Sequence, residues 1–262
     1  MSIQVAGGSF VGRDHRVVGK NNQDAWWIGT NETGTVCLAA DGCGSGAHSE
    51  VGAKLAVQIV GSELLHQLST RWNVDWRGIE QILLDHIHKL AQAMGGSYRQ
   101  VLEENFLFTL LGLVITNEYV TFFHCGDGTI VLNGAMHTLG PYSGNMPPYI
   151  TYRLMDNAMA VDQQMLGIAP SLECRTDALE SFLIGTDGTD AFRLHHDQVR
   201  PGLAVPVGDL SQFWQNDRYF RGNPELISRE LKLIGRDWPH HNPQPGLLHD
   251  DTTIIVGKRT LQ

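Results

Sequence analysis

The chain has 262 residues, 42% of them apolar, enough to close a sizeable core, and one compact domain over 1–262 is expected. Its formal net charge is −9 with no run of Lys or Arg, which argues against a nucleic-acid partner and against an anionic membrane. Met1 to Ser9 holds no basic segment followed by an apolar core, and no apolar stretch reaches the ~20 residues of a membrane span, so the expected location is cytoplasmic.

Residues 3 to 12 read as a first strand, with Gly7 and Gly8 marking a bulge. A polar turn carrying Arg13, His15, Arg16 and Lys20 leads through Asn22-Gln23-Asp24 to a second strand, Ala25 to Gly29. Asn31-Glu32-Thr33-Gly34 turns the chain into a strand over 35–40, so the opening reads as a β-meander. This third strand stops at Asp41-Gly42 and runs into a glycine loop, Cys43 to Gly46. Val51, Leu55, Ile59, Leu64 and Leu68 recur at helical spacing, giving a helix from about Ser49 to Leu68. A second helix from about Asp75 to Met94 ends at Gly95-Gly96, and the two are expected to cover a sheet as an antiparallel pair. Phe106 to Ile115 and Tyr119 to His124 form an apolar hairpin, which Thr129 to Leu132 continues after Gly126-Asp127-Gly128.

From Asn133 to Pro148, Gly, Pro, Ser and Asn dominate and a surface loop is expected, whereas 149–176 carry no clear pattern. Ser181 to Thr186 reads as a strand, 191–222 as an insertion of short elements, and Asn223-Pro224-Glu225 as a helix start. The last strand begins at Thr252. Trp72 and Trp76 read as packing residues at a helix entry, and His241 as a surface-loop residue. The four cysteines form no Cys-x-x-Cys pair and read as reduced thiols, with Cys43 set apart by its place in the glycine loop.

Four strand ends thus carry carboxylates: Asp41, Asp127, Asp187 and Asp250-Asp251. A single Asp-Gly after a strand is an ordinary turn, and spacing alone does not say whether the four ends meet. If they do, the carboxylates repel one another and require either protons or a cation. An all-oxygen ligand set favours Mg²⁺ or Mn²⁺ over Zn²⁺.

The order of these pieces resembles the metal-dependent serine/threonine phosphatases of the PP2C (PPM) family. The motifs that carry the resemblance are Asn22-Gln23-Asp24, Ala40-Asp41-Gly42, Gly126-Asp127-Gly128, Thr186-Asp187-Gly188 and Asp250-Asp251-Thr252-Thr253, spread over about residues 8 to 257. The resemblance implies an α+β fold, a four-layer α/β/β/α sandwich of two antiparallel sheets flanked by helices. It implies hydrolysis of phosphoserine and phosphothreonine by a metal-activated water, with two or three Mn²⁺ or Mg²⁺ ions. Carried over by motif, Asp41 bridges two ions, the Gly42 carbonyl binds the second, and Asp187 and Asp250 hold the first. Asp127 with Asp187 matches a third, looser site, and Gln23 and Asp24 support the centre from behind. The implied partners are a phosphorylated protein and a cognate serine/threonine kinase.

The departures are specific. Gln23 stands where relatives carry Glu, and its form looks most like a bacterial branch of the family. The family's phosphate-binding Arg would fall near Gly19, where the nearest basic residues are Lys20, Arg16 and Arg13, with Lys20 preferred. Cys43 occupies the place of a His that animal members use as a general acid, leaving His48 or water for that step. These departures keep open an alternative, a catalytically weak module that binds phosphoproteins or a regulatory partner. Two other matches fail on the residues. The Gly42-x-Gly44-x-x-Ala47 run resembles a dinucleotide fingerprint, but Asp41 would place negative charge beside the pyrophosphate. Thr186-Asp187-Gly188-Thr189 resembles the haloacid dehalogenase motif, but Gly185 stands where its nucleophilic Asp belongs. Asp251 reads as structural and at a solvated loop end, Asp190 as support or a helix cap, and 133–148 and 191–222 as candidates for substrate choice.

Overall fold

In the computed structural model, which describes residues 2–71, 73–155, 166–240 and 242–260, the chain forms two five-stranded antiparallel sheets. Trp72 and His241 lie outside the described residues. One sheet has the order β1-β10-β9-β6-β7, from β1 (Ser2–Phe10), β6 (Gly128–Leu132), β7 (Ala135–Leu139), β9 (Ser181–Gly185) and β10 (Thr252–Thr260). The other has the order β2-β3-β4-β5-β8, from β2 (Ala25–Asn31), β3 (Gly34–Gly42), β4 (Phe108–Ile115), β5 (Tyr119–Cys125) and β8 (Ala169–Arg175).

The central strands are apolar throughout because both of their faces are covered. Along β3 the side chains alternate: Cys37 and Ala39 join Phe182, Ile184 and Ile255 between the sheets, while Val36, Leu38 and Ala40 face helices. Helices α2 (Glu50–Thr70), α3 (Trp76–Met94) and α4 (Tyr98–Asn105) cover that outer face. The other sheet is covered by α5 (Asp190–His195), α6 (Ser211–Gln215) and α7 (Leu226–Gly235), through Phe192, Phe213 and Leu231; α1 (Arg13–Val17) connects β1 to β2. This is the four-layer α+β sandwich expected from the motifs. Among the described residues, no helix is long and apolar enough to cross a membrane.

Several local expectations are corrected. The opening is no single meander, since β1 pairs with β10 and β2 with β3 in the facing sheet. Likewise β6 does not extend the β4–β5 hairpin but crosses to the other sheet beside β9. The register of β1 runs unbroken through Gly7 and Gly8, so there is no bulge. These glycines instead allow close approach, for a Cβ on Gly8 would sit 2.5 Å from the Ser228 amide of α7. In α2 the buried face is Ala53, Ala56, Val57, Val60 and Leu64, whereas Val51 is exposed, because small residues let the helix lie close on the sheet. Within the expected surface loop, 135–139 is an exposed edge strand, turned from β6 through Asn133 and Gly134, both at positive φ.

Replacing Gly8 by Ala is expected to lower stability by about 1–3 kcal/mol by forcing α7 off the sheet. A urea unfolding midpoint unchanged from wild type would contradict this reading of the glycine.

Candidate metal centre

The sheet registers alone bring the strand ends together. In the first sheet, Gly185 at the end of β9 pairs with Thr129 near the start of β6 and with Ile254 near the start of β10. Antiparallel pairing therefore puts Asp127 before β6, Asp187 after β9 and Asp250 before β10 at one end of three adjacent strands. Asp41, at the end of β3, sits opposite Thr109 at the start of β4 in the facing sheet. All four carboxylates line one cavity of about 790 Å³, together with Cys43, Thr109, Tyr149 and Tyr152 among others. The cavity is lined by no Lys, Arg or His among the described residues.

The electrostatic strain is visible at each group. Burial holds the Asp41 carboxyl well above its ordinary value, and the charges of Asp24, Asp187 and Asp250 add to the effect. Asp187 is pushed up to about 6 by burial and then by Asp250. Asp127 is raised by burial and by Asp250, and Asp250 by burial and by Asp251. Asp187 Oδ1, Asp24 Oδ1 and Gln23 Oε1 are buried acceptors with no hydrogen-bond partner. Oxygen ligands, mutual repulsion and unpartnered acceptors fit a hard divalent cation.

A polar frame holds this end of the sandwich. Asp251 is 1% exposed and accepts hydrogen bonds from the Gly12 amide at 2.6 Å and the Gln23 amide at 2.5 Å. His15 Nδ1 lies 2.9 Å from the same carboxylate. His15, Asp250 and Asp251 thus form a cluster of metal-ligand types, but both Asp251 oxygens are already committed to backbone. Asp251 is a strut, structural as expected, yet buried where a solvated end was anticipated. Asp24 accepts from the Thr186 hydroxyl at 2.8 Å, and that hydroxyl accepts from the Thr253 amide at 3.0 Å, fixing the turn that presents Asp187. Gly188 in that turn has no room for a side chain, since its Cβ would lie 2.0 Å from the Asp251 carbonyl oxygen. Gln23 donates through Nε2 to the Gly46 carbonyl at 3.0 Å.

The expected basic residues are placed elsewhere. Lys20 Nζ donates to the Gly44 and Gly46 carbonyls at 2.6 and 3.0 Å, bracing the glycine loop. Arg16 donates to the Gly235 carbonyl and lies over the Phe10 ring. Neither they nor Arg13 and His48 line the cavity, whereas Cys43 does. Asp190 is exposed at the start of α5 and pairs with Arg193 at 3.3 Å. Residues not anticipated include Thr109, opposite Asp41, and Gln100, Glu103 and Glu104 of α4. The signal for α4 was legible as Ser97-x-x-Gln100, whose Ser97 side chain accepts from the Gln100 amide.

A family profile described as Protein phosphatase 2C matches residues 11–216, and the chain belongs to that family. Its fold is similar to that of the Mycobacterium tuberculosis serine/threonine phosphatase PstP/Ppp, with a TM-score of 0.54 and 16% identity over 100% of both chains. The catalytic domain of PstP in complex with two manganese ions is similar at a TM-score of 0.52 and 16% identity, covering 98% of this chain and 97% of that one. Serine/threonine phosphatase Stp1 from Staphylococcus aureus gives a TM-score of 0.53 and 12% identity, covering 100% and 96%. At these identities the likeness is one of fold. No curated protein matches the chain.

The raised carboxyls have a consequence for pH. Between the ordinary value of 3.8 and the folded value of about 6, the folded state holds the Asp187 proton more tightly than the unfolded state. Stability of the metal-free protein therefore falls as pH rises through that window, and the penalty is complete above it. Thermal midpoints in EDTA from about pH 4 to about pH 7.5 are expected to drop less in Asp187→Asn than in wild type. Equal slopes would contradict the assignment.

Proposed function

We propose that the protein is a metal-dependent serine/threonine protein phosphatase of the bacterial type, with 1–262 acting as one catalytic domain. The observation that carries this reading is the convergence of Asp41, Asp127, Asp187 and Asp250 on one cavity. Asp41, the Gly42 carbonyl, Asp187 and Asp250 are the groups assigned to two Mn²⁺ or Mg²⁺ ions, and Asp127 with Asp187 to a third. Bound there, such ions would supply Lewis-acid chemistry, lowering the pKa of a water and offsetting the charge of phosphoryl oxygens.

The chain's own work is positional. Asp24 and Thr186 hold the turn of Asp187, Asp251 ties Gly12 and Gln23 to the start of β10 beside Asp250, and Lys20 braces the loop that follows Gly42. Asp41 sits in a sheet paired on both sides, by β2 and β4, which limits how far its carboxylate retreats from Asp187. A protein nucleophile has no part in this scheme. The substrate is a phosphorylated protein, and a serine/threonine kinase is the class of enzyme that supplies it.

One observation favours the second reading, a binding module with weak catalysis. Lys20 and Arg16 are committed to backbone carbonyls, so the cavity has no side-chain cation to seat a phosphate among the described residues. Hydrolysis of p-nitrophenyl phosphate and of a phosphothreonine peptide separates the two. Turnover that needs Mn²⁺ or Mg²⁺, stops with EDTA and falls by about 10²-fold or more in Asp187→Asn is expected. Folded wild-type protein inactive with either metal would instead support the binding module.

A further inference from the structure

The cavity has a second, outer set of acidic groups that metal binding leaves unexplained. Besides the four strand-end aspartates, Glu103 and Glu104 of α4 line it, making six carboxylates against no basic side chain among the described residues. Divalent ions would offset the inner four, and a phosphate seated there would bring further negative charge. At the rim only the exposed Arg99 pairs with Glu103, and Glu104 has no cationic partner among the described residues.

Both are held in place. α4 starts at the Ser97 cap and buries Leu102 and Asn105. Its last turn docks on the glycine loop, where the Glu104 carbonyl accepts from the His48 amide at 2.8 Å. Glu104 Oε1 accepts from Gln100 Nε2 at 2.7 Å, a neutral donor that leaves its charge intact. Glu103 accepts from Arg99 Nε at 2.8 Å, but both groups are exposed, and such a pair is weak enough for an incoming cation to displace. Independent evidence that this cavity takes a ligand comes from Thr109. Its side chain is 3% exposed and lines the cavity, and its hydroxyl has no partner. A phosphoryl oxygen seated by the strand-end aspartates' ions would give that hydroxyl an acceptor, and the rest of the substrate would leave past the α4 rim.

We infer that Glu103 and Glu104 select substrates carrying basic residues beside the phosphorylated one. The inference rests on the phosphatase reading of the cavity and names the substrate class for it. A basic side chain pairs with Glu104 and competes with the exposed Arg99 for Glu103, whereas an acidic flank meets like charge near a site already crowded with carboxylates.

The test uses fluorescein-labelled peptides bearing a non-hydrolysable difluoromethylene phosphonate in place of phosphoserine, flanked by arginines, alanines or glutamates. Binding to the Mn²⁺-loaded protein is read by fluorescence anisotropy at low and high salt, so the measurement does not depend on turnover. Wild type is expected to bind the arginine-flanked peptide about tenfold more tightly than the glutamate-flanked one, with the preference shrinking at high salt. Glu103→Gln/Glu104→Gln is expected to lose most of the preference, and Glu104→Lys to move it toward the glutamate-flanked peptide. Equal affinities in wild type, no binding of any peptide, or a preference unchanged in the double variant would overturn the inference. Hydrolysis of p-nitrophenyl phosphate by wild type, measured in parallel, judges the phosphatase reading separately. Selective binding without hydrolysis would sink that reading and leave the rim's selectivity standing.

Discussion

Mutual repulsion among carboxylates is the constraint around which this molecule is arranged. Four aspartates project into one cavity, and each is driven toward its protonated form by burial and, in most cases, by one or more of the others. Left to themselves such groups would separate. They stay because each is fastened to a strand end, and the strands are locked by antiparallel ladders and by an apolar layer including Leu111, Phe122, Phe182 and Ile255. The sandwich holds the charges close, and on the proposed reading a divalent cation turns their closeness into binding energy.

The polar frame beneath the site serves the same end. Asp251, Asp24 and Thr186 are buried, and all three accept hydrogen bonds from groups on other segments. Removing one partner from such a network leaves the others unsatisfied, so its members act as a unit. The frame joins the segment before β2, the turn after β9 and the start of β10, the segments that carry Gln23, Asp187 and Asp250. Lys20 and Arg16 belong to this scaffolding, which explains why basic residues close in sequence to the site stand away from its cavity.

Much of this was legible in the amino-acid sequence. β3 and β9 announce themselves as apolar runs because both faces are buried, and the Asp-Gly that ends each marks the passage from core to site. Period-two patterns say nothing about which strand is the neighbour, so β1 and β6 could not be assigned to their sheet. The buried face of α2 was legible only in part, through Leu64, because Ala53 and Ala56 share that face with Val57 and Val60 while Val51 is exposed. β7 escaped notice because its side chains are nearly all exposed, although Asn133-Gly134 signalled a hairpin. Asp251 looked like a solvated loop end because no sequence pattern reveals that two distant amides converge on it. For the same reason the rim of Glu103 and Glu104 is a property of the fold, created when α4 docks on the glycine loop.

The central claim is that the converged aspartates hold divalent ions. Calorimetric titration of the metal-free protein with Mn²⁺ tests it directly, comparing wild type with Asp41→Asn, which removes the charge that faces the other sheet's carboxylates. The account predicts that wild type binds at least two ions and that the variant loses at least one of them. Wild-type protein that is folded yet takes up no Mn²⁺, or a variant that binds as wild type does, would contradict it.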